Sequence, residues 1–167
     1  MAKEFARKNI DFIFLYTREA HPGENYPAHR SFEQKLAHAR AFREHFKVER
    51  PILVDDLAGS GHNLYGMLPN MTYLIGRSGK VLFRAEWTDP PTIEYAINYV
   101  FQSRSRRRDG LRLAPFYAEF VGYRWNDPAK FQEGLRRAGQ QAVDDFARTT
   151  QRWQKQGPRP GRIELSE

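Results

Sequence analysis

Ile10, Phe12, Ile13, Phe14 and Leu15 form an apolar run that stops at Tyr16-Thr17-Arg18-Glu19-Ala20-His21-Pro22, and a capped helix begins one loop later. An apolar strand that ends in proton-handling side chains, with a helix to follow, narrows the fold more than anything else in the chain. Open α/β sheets bind their ligands outside the carboxyl ends of the strands. Tyr16, Glu19 and His21, with His29 just ahead of the helix, are therefore the candidate site.

Around this strand the chain reads as alternating elements. Ala2 to Lys8 is the end of a helix, Asn9 stops it, and a strand runs from Ile10 to Tyr16. Residues 22–30 form a loop built on Pro22, Gly23, Asn25 and Pro27. Ser31 and Gln34 make a capping-box pattern, with Glu33 in the first turn. Phe32, Leu36, Ala39, Phe42 and Phe46 share a helical face, which predicts an amphipathic helix over Ser31–Lys47. Pro51–Asp55 is a short strand, Gly59-Ser60-Gly61 breaks the chain, and a short helix lies around His62–Tyr65. Met71–Ile75 and Lys80–Ala85, joined by Gly76-Arg77-Ser78-Gly79, read as a β-hairpin. Asp89-Pro90-Pro91 caps and opens the next helix, whose apolar face includes Ile93, Ile97, Val100 and Phe101.

The C-terminal part reads as an appended helical segment. Phe116, Tyr117, Phe120, Tyr123 and Trp125 form an aromatic stretch. Asp127-Pro128 opens a further helix in which Phe131, Leu135, Ala138, Ala142 and Phe146 keep helical spacing. Gln156–Pro160 ends the structured part. The expected division is residues 1–103 as an α/β domain and 104–167 as a basic helical extension.

Composition removes several function classes. The chain has no cysteine, so disulfides, thiolate metal sites and a thiol nucleophile are absent from these 167 residues. No apolar run approaches the roughly 20 residues of a membrane span, and the N-terminus does not lead into a signal-peptide core. A cytoplasmic location is the expectation. The net charge of +7 resides almost wholly beyond residue 100, densest at Arg104, Arg106, Arg107 and Arg108. No nucleic-acid motif accompanies these arginines, and cations suit a helix's carboxyl end, so a solvated helix end is the plain reading. Of the five histidines, His38 and His45 lie two turns apart on one helix. No pair has the i, i+4 spacing of a helical zinc motif, so no metal site and no cofactor are expected. Asp55-Asp56 reads as a cap or turn, since adjacent strand residues face opposite ways.

The ordered set Tyr16-x-x-Glu19-Ala20-His21, His29-Arg30-Ser31-x-Glu33, Leu53-Val54-Asp55, Tyr65-Gly66 and Tyr73-Leu74-Ile75 resembles the iodothyronine deiodinase family over about residues 4–100. The resemblance implies a thioredoxin-like sheet with flanking helices, and a seleno- or thiol-dependent oxidoreductase acting on a small-molecule substrate with a thiol reductant. It assigns Tyr16, Glu19, His21 and His29 to proton relay. Arg30 suits bidentate contact with a substrate carboxylate. The slot that holds a cis-proline in most thioredoxin-like proteins falls on Asn70, with Pro69 one place early, and Asn70 joins Arg30 as a substrate-side residue. The resemblance also places the family's first core strand and nucleophile loop ahead of Met1, so the sheet is expected to lack a strand between Ile10–Tyr16 and Met71–Ile75. A selenocysteine codon read as a stop, a misassigned start in a cysteine homologue, or a truncated fragment would each account for a chain that opens in mid-helix. The alternative is a catalytically inactive thioredoxin-fold module that binds a partner through its basic C-terminal third.

Overall fold

The computed structural model describes residues 1–66, 68–111 and 127–155. The aromatic stretch at 116–125 and the tail from 156 lie outside the described residues. In order, the elements are α1 (Ala2–Ala6), β1 (Phe14–Tyr16), α2 (Phe32–His45), β2 (Ile52–Val54), α3 (Ser60–Leu64), β3 (Thr72–Ile75), β4 (Val81–Ala85), α4 (Pro90–Arg108), α5 (Pro128–Ala138) and α6 (Gln140–Lys155). The chain is a mixed α/β protein.

β1 and β2 pair in parallel, Phe14 opposite Ile52 and Tyr16 opposite Val54. Phe14 N–H donates to Pro51 O at 3.0 Å, and Asp55 N–H donates to Tyr16 O at 3.0 Å. Phe14 and Tyr16 thus turn their backbone groups to β2, and the alternation of a strand turns those of Leu15 to the opposite edge. β1 is shorter than the expected Ile10–Tyr16. β2 offers only three partners, and Asn9, at φ 58°, turns the chain ahead of it. β3 and β4 form the expected antiparallel hairpin, with a register shift between Leu74 and Ile75. The two pairs are separate two-stranded sheets. The Leu68–Pro69 bond is trans.

The helix starts follow their caps. Ser31 Oγ accepts from Gln34 N–H at 3.1 Å, and Gln34 Oε1 reaches back to Arg30 N–H at 2.8 Å. Asp89 accepts from Thr92 N–H, and Asp127 from the Ala129 and Lys130 N–H groups. The buried face of α2 departs from the expected stripe. Lys35 is only 2% exposed and Ala39 is buried, while Phe32 and Phe46 are 44% and 61% exposed. The reason is that Lys35 Nζ reaches the Asp56 carbonyl at 2.7 Å, past the end of β2. The helix therefore turns the Lys35–Phe42 face inward, and Phe42 packs on Phe14 and Tyr16.

α4 continues unbroken to Arg108 and carries exposed Arg106, Arg107 and Arg108 in its last turn, where cations meet the negative end of the helix dipole. The single helix expected after Asp127 is two helices. Gly139 stands between them at φ 125° and ψ 170°, a backbone region open essentially to glycine alone. The chain folds back there, so Phe131 of α5 meets Phe146 of α6 at 4.9 Å between ring centroids. A Cβ on Gly139 would also collide with the Glu24 carboxylate. Gly139→Ala is expected to cost about 2–3 kcal/mol, the strain of a forbidden backbone plus the lost Glu24 contact. Thermal unfolding measures it, and an unchanged midpoint would contradict the tight turn.

Candidate active site

Tyr16 ends β1, Glu19 lies on the loop after it, and His29 stands just before the Ser31 cap of α2. The loop between them returns close to where it began, and these three side chains converge. The Tyr16 hydroxyl donates to Glu19 Oε1. The His29 ring packs against Tyr16 with centroids 5.8 Å apart. A fourth residue completes the group. His38, from the middle of α2, places Nδ1 3.2 Å from His29 Nε2, and its ring meets Tyr26 edge-on. Glu19 Oε1 lies 3.6 Å from His29 Nε2 and 3.4 Å from His38 Nδ1, and the His29, His38 and Glu19 side chains are 6%, 12% and 21% exposed.

This environment sets the proton affinities. Burial is the first cause that lifts the Tyr16 phenol well above its usual range, and the hydrogen bond to Glu19 with its negative charge adds to it. Tyr16 therefore stays protonated and donates. His29 is held below the ordinary imidazole value, first by burial. His38 and Lys35 push the same way, and Glu19 opposes them. At neutral pH His29 is thus a neutral base beside a carboxylate, and it is able to take up a proton and pass it on.

His21 is set apart from this group. Its ring lies edge-on between Phe131 and Phe146, with centroids 6.0 and 5.4 Å away, and burial lowers its pKa. The α5–α6 hairpin holds the whole loop around it. Asn25 N–H and its side-chain amide donate to the Ala138 and Arg137 carbonyls at 3.0 Å each. Arg137 donates to the Tyr26 hydroxyl, and the Glu24 carboxylate receives Gln141 N–H at the start of α6. The C-terminal helices therefore brace the loop that carries the site. Arg30 is exposed next to His29, with its backbone N–H spent on Gln34. Asn70 is exposed in the turn before β3, and its carbonyl accepts from Thr88 Oγ1.

His38 is the residue that spacing alone did not reveal. Lys35, His38 and Phe42 share the inward face of α2, and placing that face one residue off sends His38 to solvent. Together Glu19, His29 and His38 are the one group among the described residues that brings three potential metal-binding side chains within 4.8 Å of one another.

A mixed α/β chain with a Tyr–Glu–His cluster at the carboxyl end of its first strand is a candidate for proton-transfer chemistry. Comparison with known proteins gives that class a direction. The thyroxine 5-deiodinase of Sus scrofa is 28% identical over 87 residues, which is 47% of this chain and 28% of that protein. Those of Bos taurus and Homo sapiens are 26% identical over the same length. The match spans less than a third of the length of these relatives, and it supports a distant deiodinase-like relationship. No family model and no solved structure matches the chain. Among the described residues no helix is long and apolar enough to cross a membrane.

Proposed function

We propose that this chain is the proton-handling body of a deiodinase-like oxidoreductase in a thioredoxin-like frame. The observation that carries the reading is the Tyr16–Glu19–His29 contact at the carboxyl end of β1. The nucleophile, a selenolate or thiolate, comes from outside these 167 residues, which hold no cysteine. Among the described residues no strand pairs with the Leu15 edge of β1 and the two pairs are separate sheets, which supports a further strand there as the bearer of the nucleophile.

In the reaction the nucleophile attacks a halogen, a peroxide oxygen or a disulfide sulfur. The bond from that atom to the leaving group breaks, and the leaving group takes a proton. A thiol reductant then restores the nucleophile. Neutral His29 takes the proton from the incoming selenol or thiol and returns it to the leaving group. Glu19 stabilises the imidazolium formed in between, and the Tyr16 hydroxyl fixes the carboxylate. Arg30 and Asn70 contribute on the substrate side.

The full product of the reading frame that contains these residues tests the proposal, assayed with thyroxine and with hydrogen peroxide in the presence of dithiothreitol. Turnover of either substrate is expected, and His29→Gln should reduce it about 10²–10⁴-fold. A product with neither cysteine nor selenocysteine, or one that turns over neither substrate, would remove the proposal.

A further inference from the structure

We propose that Glu19, His29 and His38 form a binding site for one divalent first-row transition ion, Zn²⁺ in particular. Oxygen and two neutral imidazole nitrogens are the donor set that such ions take, and Mg²⁺ or Ca²⁺ would call for more oxygens. The three donor atoms are Glu19 Oε1, His29 Nε2 and His38 Nδ1, and their separations are 3.2, 3.4 and 3.6 Å. A tetrahedral ion with bonds of about 2.0–2.1 Å has edges of about 3.3–3.4 Å between its ligands, whereas an octahedral ion with the same bonds has edges of about 2.9 Å. The measured triangle fits the tetrahedron.

The His29–His38 separation of 3.2 Å is itself a hydrogen-bond distance, but the carboxylate stands farther from both rings. At 3.4 and 3.6 Å the carboxylate is too far from both imidazoles for good hydrogen bonds, while the three donor atoms all lie within 4.8 Å of one another. One supporting contact is of the kind that metal ligands use, a hydrogen bond to the ligating carboxylate. The Tyr16 hydroxyl orients the Glu19 carboxylate, and Tyr16 and Tyr26 hold the His29 and His38 rings from the side. Three protein ligands leave one tetrahedral position for water or another small ligand. The site stands independently of the proposed reaction. A bound ion would take the His29 Nε2 lone pair, so the proton relay belongs to the chain without the ion.

The test is titration of the full chain with Co²⁺, whose visible absorption reports tetrahedral coordination, followed by displacement with Zn²⁺. One equivalent is expected to bind with tetrahedral bands, and Zn²⁺ is expected to abolish them. His38→Ala and His29→Gln should each weaken binding on the order of 100-fold or more, since losing a ligand costs more than losing an outer contact, and His45→Gln should leave it unchanged. His38→Ala keeps the Tyr16–Glu19 contact and serves as the folded variant, with circular dichroism as its check. No tetrahedral band with the folded chain, or binding that survives in folded His38→Ala, would overturn the site. If binding is seen but the reading frame's product is inactive, only the proposed reaction fails.

Discussion

Asp55→Ala is expected to lower the free energy of unfolding by about 3 kcal/mol, a large part of a total of roughly 5–15 kcal/mol. The Asp55 carboxylate follows β2 and is nearly buried, and three backbone N–H groups converge on it. Asp56 and Gly61 donate to Oδ1 at 3.0 and 2.9 Å, and His62 donates to Oδ2 at 2.9 Å. Gly59, the residue that precedes α3, offers no side-chain cap, so Asp55 supplies from a distance what the helix start lacks. Alanine orphans all three donors in a half-buried place. Asp55→Asn keeps one acceptor oxygen and turns an N–H₂ toward a donor, so it should fall between wild type and Asp55→Ala. The damage reaches the site. α3 packs so closely on β1 that a Cβ at Gly61 would come within 3.2 Å of Leu15. Thermal unfolding should fall by about 6–12 °C for Asp55→Ala in a chain of this size. A loss under one degree would mean that the α3 start is held by other groups.

The sequence announces the elements where their causes are local. Ser31 with Gln34, Asp89 with Pro90 and Asp127 with Pro128 each carry a cap within four residues, and each helix begins where its cap places it. The Gly76–Gly79 turn announces the β3–β4 hairpin in the same way. What stays hidden depends on distant partners. Lys35 is buried because a carbonyl beyond β2 receives it, and no apolar spacing rule places a lysine inward. Gly139 ends α5 because the chain must accommodate Glu24 from the far side of the fold. The site divides along the same line. Tyr16, Glu19 and His29 sit together because one strand end and one helix start lie close in sequence. His21 goes to Phe131 and Phe146, whose helices come from the other end of the chain, and His38 joins only once the inward face of α2 is fixed.

Glu19→Gln is the second large effect, because Glu19 acts on two of its neighbours with opposite consequences for their charge. His29 is lowered by burial, His38 and Lys35, and only Glu19 raises it. Without the carboxylate the His29 pKa should fall further. Tyr16, which Glu19 holds up through a hydrogen bond and its charge, should come down toward its ordinary range. Both groups move in the same direction, although one is a base made less basic and the other an acid made more acidic. The pH dependence of stability follows. The folded His29 binds a proton less readily than the unfolded one, whose pKa is about 6.5. Stability is therefore full above that value and falls as pH drops through the window down to the folded pKa, then levels off. His21, lowered by its own burial, adds the same sign. In Glu19→Gln the window widens, so acid should destabilise the variant more than the wild type. Titration of ring signals by NMR, with urea midpoints at several pH values, measures both parts. In the proposed reaction the variant loses the charge that stabilises the His29 imidazolium, and turnover should drop about 10²–10⁴-fold. An unchanged or raised His29 pKa would show that Glu19 and His29 are not coupled in solution, and the proton relay would lose its central contact.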